Sequence, residues 1–171
     1  MVRVYVPATL AMLQKLVADG SLRPVSGTAF AVTPTLREAY AEGDEDELAD
    51  VALREAALGS LRLLADDSAA EGLAPRRAVL EAEVDDDIAG ISLRPDLDDA
   101  VVRLAGVIPL ESVIAAYVDN AAAEPAVLAA VEVVDAADLG DEDAELTVGD
   151  AQDHDLAWYA PQELPFLLEL L

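Results

Sequence analysis

The same order of elements occurs at four places in the chain. A short hydrophobic strand is followed by a proline and then by apolar residues at the spacing of a helix. In the first, Val2, Val4 and Val6 alternate with polar residues before Pro7, and a helix-period run ends at Gly20. The other three junctions lie at residues 30–36, 107–110 and 158–164. Strands that alternate with helices are typical of a sheet covered by helices, with parallel pairs wherever a helix connects neighbouring strands.

The junctions predict an α/β protein (an α+β sandwich) with a mixed sheet of about five strands covered by helices. A strand-helix-strand opening followed by a central hairpin makes a ferredoxin-like plait with a helical insertion the candidate topology. The Thr35 and Glu38 spacing matches a capping box, which predicts a helix start there, and Gly43 predicts a break. Strands are expected at 28–33, 78–84, 100–108 and 156–159, and helices at 8–19, 46–66, 110–120 and 125–137. A short strand at 88–93 and a strand instead of a helix at 127–134 remain alternatives.

With 171 residues the chain is long enough to bury one core, so a single domain over residues 1–171 is expected. Residues 139–155 are strongly acidic and have few apolar side chains, which predicts a long acidic surface loop. The tail at 161–171 is very apolar for a terminus. We expect it to pack on the sheet, with a partner surface as the alternative.

The net charge is the most unusual compositional feature. The chain has 35 acidic residues against 10 basic ones, a formal net charge of -25. Such a chain repels phosphate backbones and anionic lipids, so neither direct nucleic-acid binding nor membrane association is expected. The start lacks a secretory signal pattern, and no apolar run is long enough for a membrane span. A cytoplasmic protein is therefore predicted.

Three explanations of the acidity remain open. The charge could be a solvated surface in a biased composition, an adaptation to high salt, or an acidic face that meets a basic partner. The third requires the carboxylates to cluster on one surface.

The residues that could hold a metal or cofactor do not form a recognised motif. Asp141, Asp143 and Glu145 have the spacing of a calcium loop, but Leu146 stands where glycine is required and Gln152 where a bidentate glutamate belongs. The chain has no cysteine, and neither a P-loop nor a dinucleotide fingerprint is present. No metal and no cofactor is therefore predicted.

His154 is the single histidine and lies between Asp153 and Asp155. A neighbouring carboxylate could orient and charge the imidazole for acid–base catalysis. A polar surface histidine is the simpler interpretation, because no nucleophile motif accompanies it.

Three segments carry a resemblance to a known family. These are residues 3–10, residues 27–34 and residues 158–164, with the sequences RVYVPATL, GTAFAVTP and WYAPQEL. Over nearly its whole length the chain resembles a family of small uncharacterised actinobacterial proteins of unknown function. The resemblance implies a bacterial cytosolic origin, makes a halophile a weaker explanation of the charge, and supplies no catalytic residues.

Two hypotheses about function follow. The first is a non-enzymatic acidic cytosolic adaptor or regulatory protein that binds a basic protein partner through its acidic segment and apolar tail. The residues expected to contact that partner are Asp141, Glu142, Asp143, Glu145, Asp153, His154 and Asp155.

The second hypothesis is a small-molecule binding protein or enzyme with a site at the strand-to-helix end of the sheet. Its candidate residues come from position in the junctions and not from a motif. They are Tyr5, Thr9, Thr33, Thr35 and Tyr159. The sequence leaves the oligomeric state open.

Overall fold

A computed structural model of the chain describes residues 1–66 and 72–171. The strands are Val2–Ala8 (β1), Ser21–Leu22 (β2), Thr28–Phe30 (β3), Ala78–Val84 (β4), Ile91–Leu93 (β5), Val101–Leu104 (β6), Ile108–Pro109 (β7), Val113–Val118 (β8) and Ala157–Tyr159 (β9). The helices are Leu10–Asp19 (α1), Pro34–Ala39 (α2), Glu45–Asp66 (α3), Asp86–Ala89 (α4), Glu124–Asp138 (α5), Glu142–Gln152 (α6) and Leu164–Glu169 (α7).

The main sheet has seven strands in the order β5-β6-β3-β1-β4-β8-β9, and every neighbouring pair is antiparallel. The short strands β2 and β7 form a separate antiparallel pair. The predicted α/β class is confirmed. Among the described residues, the main sheet has seven strands where about five were predicted, and it contains no parallel pair. The order also differs from a ferredoxin-like plait, because β3 follows α1 and yet pairs directly with β1, without the intervening strand that splits the unit in that fold.

The sheet carries helices on both faces. On one face α1 and α7 pack against the side chains of Val4 and Val6. Successive side chains of a strand point to opposite faces, so Tyr5 between them points to the other face. On the opposite face α3 packs on Tyr5, Phe30 and Val79. Helices α5 and α6 form an antiparallel pair outside α3, around a small core that includes Leu61 and Val127.

The predicted junctions have different local structures. Thr9 caps α1 after Pro7, and Gly20 ends that helix in the left-handed conformation that glycine favours. Pro34 occupies the first turn of α2, and the side chain of Thr33, not Thr35, accepts the capping hydrogen bond. Around Pro161 the expected proline start of a helical turn is found, leading into α7.

The prediction of a helix at 110–120 is wrong. After Pro109 a single 3-10 turn leads into β8, which pairs with β4 from Ala78 to Ala82. The β-branched residues Val113, Ile114 and Val118 favour the extended conformation, and pairing with a central strand outweighs the helical spacing of the apolar residues. By contrast, the helices expected at 46–66 and 125–137 are confirmed, with starts at Glu45 and Glu124.

The prediction of an acidic loop at 139–155 is also wrong, because this segment contains α6. Asp141 caps the helix by accepting a hydrogen bond from the backbone N–H of Ala144 at 3.0 Å. Glu142, Asp143 and Glu145 follow in the first turn, where carboxylates interact favourably with the positive end of the helix dipole. Ala144, Val148 and Ala151 supply the buried side of the helix. The acidic run is therefore the start of an ordered helix.

The apolar tail packs in part. Leu164 and Leu167 of α7 are buried in the core on the α1 side of the sheet. Phe166 of the same short helix and Leu170, which follows its end, remain exposed. No helix within the described residues is long and apolar enough to cross a bilayer.

Candidate functional site

A cleft opens where the main sheet splits into two halves. Strand β1 pairs with β4 along its whole length, but with β3 it shares only the position Tyr5–Phe30. Beyond Phe30 the chain turns away into α2, so the first residues of β1 have no partner strand on that side within the described residues. The cleft lies in this gap, beside this edge of β1.

The cleft has a volume of about 660 Å³ and is lined by residues from both faces of the sheet. Its apolar wall includes Val32, Ile91, Leu93 and Val102. Six charged side chains also line it. They are Arg3, Arg37, Glu45, Asp46, Glu83 and Asp86.

Ion pairs organise the charged rim of the cleft. Arg3 donates from Nη2 to Glu83 Oε1 at 2.7 Å, and Arg37 donates from Nε to Glu45 Oε1 at 3.0 Å. The side chains of both arginines are about half exposed, so each pair contributes at most about 1 kcal/mol to stability. Asp46 and Asp86 form no ion pair among the residues that the structure describes.

A buried carboxylate lies next to this rim. Glu81 accepts a hydrogen bond from the Tyr117 hydroxyl at 2.7 Å, and its Oε2 lies 3.3 Å from Arg3 Nε. Burial and the hydrogen bond to Glu81 raise the pKa of Tyr117 above its ordinary value. Burial, followed by the negative charge of Glu81, raises the pKa of Tyr5 to about 12. Both tyrosines therefore stay neutral hydrogen-bonding groups at physiological pH.

The raised pKa of Tyr5 gives a measurable expectation. The Tyr5 hydroxyl should ionise near pH 12, so a Tyr5→Phe variant should lose an absorbance change at 295 nm in that range. Because the folded-state pKa exceeds the unfolded value of about 10, the unfolded chain releases this proton first, and stability should fall as the pH rises from about 10 to 12. A Tyr5 ionisation at or below pH 10 would contradict the buried placement of the ring.

The structure brings together only two of the five predicted ligand residues. Tyr5 and Thr33 line the cleft, and Thr33 donates a hydrogen bond to the carbonyl of Asp99. Thr9 caps α1 at the other end of β1, and Thr35 lies in α2 outside the cleft lining. Tyr159 lies on the edge strand β9 and packs against the core on the α1 side. Successive strands run in opposite directions in an antiparallel sheet, so the four junctions do not meet at one end.

The second candidate region is the pair of helices α5 and α6 with the segment that follows to Asp155. We call residues 124–155 the acidic hairpin. It contains eleven carboxylates and neither lysine nor arginine. Three leucines lie exposed on it: Leu128, Leu139 and Leu146, with 53%, 90% and 71% of their surface accessible. Its carboxylates are Glu124, Glu132, Asp135, Asp138, Asp141, Glu142, Asp143, Glu145, Asp150, Asp153 and Asp155.

The predicted partner residues lie on this hairpin. Asp141, Glu142, Asp143 and Glu145 are exposed at the start of α6, whereas Asp153 and Asp155 are exposed after its end. Two carboxylates of the hairpin pair with arginines of other segments, in the Arg62–Asp138 and Arg76–Glu124 contacts. The remaining carboxylates form no ion pair in residues 1–66 and 72–171.

His154 is half-buried and contributes its backbone to the fold. Its carbonyl oxygen accepts a hydrogen bond from Arg77 Nη2 at 2.8 Å. Arg77 also binds Gln152 at the end of α6, at 2.7 Å, and Gln152 in turn donates to the carbonyl of Arg54 on α3. This network fixes the end of the acidic hairpin against the sheet and α3.

Sequence reasoning missed the residues that organise both regions. Arg77 and Asp119 stand 42 positions apart, and no local pattern connects them. Glu81 could have been found, because it shares a strand face with the apolar Val79 and an acid at such a position needs a partner. Within the described ranges, no group of three or more His, Asp or Glu side chains is placed to hold a metal ion.

Comparison with known proteins agrees with the extent of the sequence resemblance. Neither the curated proteins nor the solved structures contain a match to this chain. A family model matches residues 2–168, which include every strand of the sheet and nearly all of α7. The chain therefore belongs to the family described as a family of unknown function (DUF6912).

Proposed function

We propose that this protein is a non-enzymatic adaptor or regulatory protein that binds a basic protein partner through the acidic hairpin. The observation that carries the proposal is the composition of the exposed surface of α6. Glu142, Asp143, Glu145 and Asp150 surround the exposed Leu146 there. An apolar side chain within a field of carboxylates offers both a desolvated contact and long-range attraction.

The charge distribution supports a directional interaction. All ten basic residues precede position 104, so the hairpin has no cation of its own sequence to neutralise it. A surface rich in carboxylates increases the association rate with a basic partner, and this increase becomes smaller as salt screens the charges. The helices that carry these groups pack on α3, so the surface is held in place before binding.

The proposal predicts that neutralising the four carboxylates of α6 weakens binding of the partner. The variant combines Glu142→Gln, Asp143→Asn, Glu145→Gln and Asp150→Asn. At about 0.5 kcal/mol for each exposed charge contact, four changes should weaken binding about 30-fold. Tagged wild-type and variant proteins would be used to capture partners from a lysate of the source organism, and the dissociation constant would then be measured with the purified partner at low and high salt.

A matched control separates this surface from the overall charge. Glu38→Gln, Glu42→Gln, Glu111→Gln and Glu169→Gln remove the same number of exposed carboxylates from other parts of the molecule. The control variant should bind the partner nearly as tightly as the wild type. If both variants lose the same affinity, the interaction depends on net charge and not on the hairpin. If neither loses affinity, the proposal fails.

A further inference from the structure

We propose that the cleft between β1 and β3 binds a small organic cation with an apolar body, such as an alkylamine. This inference is independent of the proposed function, because the cleft and the acidic hairpin involve different residues. It rests on the charge balance of the cleft, on its apolar wall and on the hydroxyl group of Tyr5, which lines the cleft.

The charge balance favours a cation. Four carboxylates and two guanidinium groups line the cleft, and both guanidinium groups already pair with Glu83 or Glu45. An anionic ligand would have to displace those carboxylates from Arg3 and Arg37. A cation displaces nothing, because Asp46 and Asp86 have no ion-pair partner in the described part of the chain.

The wall of the cleft favours an apolar body on that cation. Val32, Ile91 and Leu93 contribute aliphatic surface from the turn after β3 and from β5, and the buried Val102 of β6 lies behind them. Leu93 remains 52% exposed, so apolar surface is available for burial by a ligand. A volume of about 660 Å³ lies in the range of small-molecule pockets.

Tyr5 supplies a third observation. The side chain is only 5% exposed and lines the cleft, and its hydroxyl forms no hydrogen bond among the described residues. The hydroxyl oxygen is not one of the fully enclosed polar atoms, so it stays accessible from the cleft. A ligand N–H can donate to this oxygen, and the ring can contact an ammonium group through a cation–π interaction.

The test uses n-hexylammonium and n-octylammonium as probes and octanoate as the charge-reversed probe, all below their aggregation limits. Binding would be measured by calorimetry on the full chain and mapped by amide chemical shifts. We expect octylammonium to bind about fifteenfold tighter than hexylammonium, because it has two more methylenes and each buried methylene contributes about fourfold. Octanoate should not bind. Equal binding of octanoate, or no dependence on chain length, would overturn the proposal.

Matched variants distinguish the cleft from general attraction by an acidic protein. Asp46→Asn with Asp86→Asn should weaken octylammonium binding at least tenfold, whereas Glu142→Gln with Asp143→Asn makes the same charge change on the acidic hairpin and should leave it unchanged. Leu93→Ser should reduce the dependence of ammonium binding on chain length, and this variant should still not bind octanoate. Equal losses in both charge variants, or shift changes that avoid β1 and β5, would refute a site in the cleft.

Discussion

Replacing Asp119 with alanine is expected to lower the free energy of unfolding by about 3–5 kcal/mol, the usual cost of leaving one partner of a buried ion pair alone. Both side chains are essentially inaccessible, with Arg77 at 1% and Asp119 at 0% exposure. Without the carboxylate, the buried guanidinium keeps only Gln152 Oε1 and the carbonyl oxygen of His154 as acceptors. Urea unfolding followed by circular dichroism would measure the change.

The geometry explains why this pair should matter so much. Arg77 donates from Nε and Nη2 to both oxygens of Asp119, at 2.9 and 2.8 Å, which is the bidentate arrangement that suits guanidinium and carboxylate. The backbone N–H of Arg77 donates to the same carboxylate at 2.8 Å. Asp119 therefore accepts hydrogen bonds from both the backbone and the side chain of Arg77, the residue that precedes β4. Arg77 in turn connects Asp119 to Gln152 at the end of α6.

Two further variants make the expectation specific. Asp138→Ala breaks the exposed pair with Arg62, and it should cost no more than about 1 kcal/mol. Arg77→Met combined with Asp119→Leu removes both charges, so it should recover part of the stability lost in Asp119→Ala. If Asp119→Ala costs no more than Asp138→Ala, then the pair is not buried in solution as the structure has it.

The sequence predicted the helices that combine length with a regular apolar stripe. In α1, Leu10, Leu13 and Leu16 recur at helical spacing and are all buried, and Gly20 ends the helix as expected. A long segment with a regular apolar stripe can be predicted as a helix from local sequence alone, because that stripe must be buried wherever the helix packs. The α/β class follows from such segments together with alternating strands.

Strand direction and the acidic segment were harder to predict, for different physical reasons. Pairing in the sheet depends on contacts between residues far apart, such as Val6 with Leu80, which no local pattern contains. In residues 139–155 the helix signal is present in the sequence, but the high charge and the few apolar residues predict a surface loop instead. Asp141 followed by acids in the first turn is a helix start, and the buried residues Ala144 and Ala151 are too small to make a clear stripe.

For the candidate sites, the sequence predicts the residue types but not their arrangement in space. The exposed acids of α6 follow from the sequence, but only the structure shows that none of them forms an ion pair among the described residues. The cleft depends on a gap between β1 and β3, and sequence patterns do not predict where two paired strands diverge. All five candidate ligand residues were selected for their position in the junctions, and only Tyr5 and Thr33 line the cleft, because they lie where β1 and the end of β3 diverge.

Two glycine-to-alanine substitutions should change stability in opposite directions. Gly59 lies in α3 where that helix crosses β1, and a Cβ atom there would lie 2.8 Å from Pro7 Cγ and 3.2 Å from Pro7 Cβ. The proline ring is rigid and belongs to a central strand, so the helix must move instead. Gly149 lies in α6, and a Cβ atom there would have nothing within 4 Å.

Removing a glycine from a helix interior gains about 0.5–1 kcal/mol. Gly149→Ala should show this gain in full, as a higher urea midpoint with an unchanged slope. At Gly59 the steric cost of about 1–3 kcal/mol should exceed it. A shift of α3 would also strain Ser60, which donates to the carbonyl of Ala8 at 2.7 Å and accepts from the N–H of Ala78 at 2.9 Å.

The pair of variants tests the close contact between α3 and β1 at Gly59 and Pro7. Because both substitutions add the same methyl group to a helical glycine, the difference between their unfolding free energies isolates the contact with Pro7. A Gly59→Val variant should lose more stability than Gly59→Ala, since its branched side chain requires a larger displacement of α3. Equal stabilisation by Gly59→Ala and Gly149→Ala would show that α3 lies farther from β1 than the structure places it.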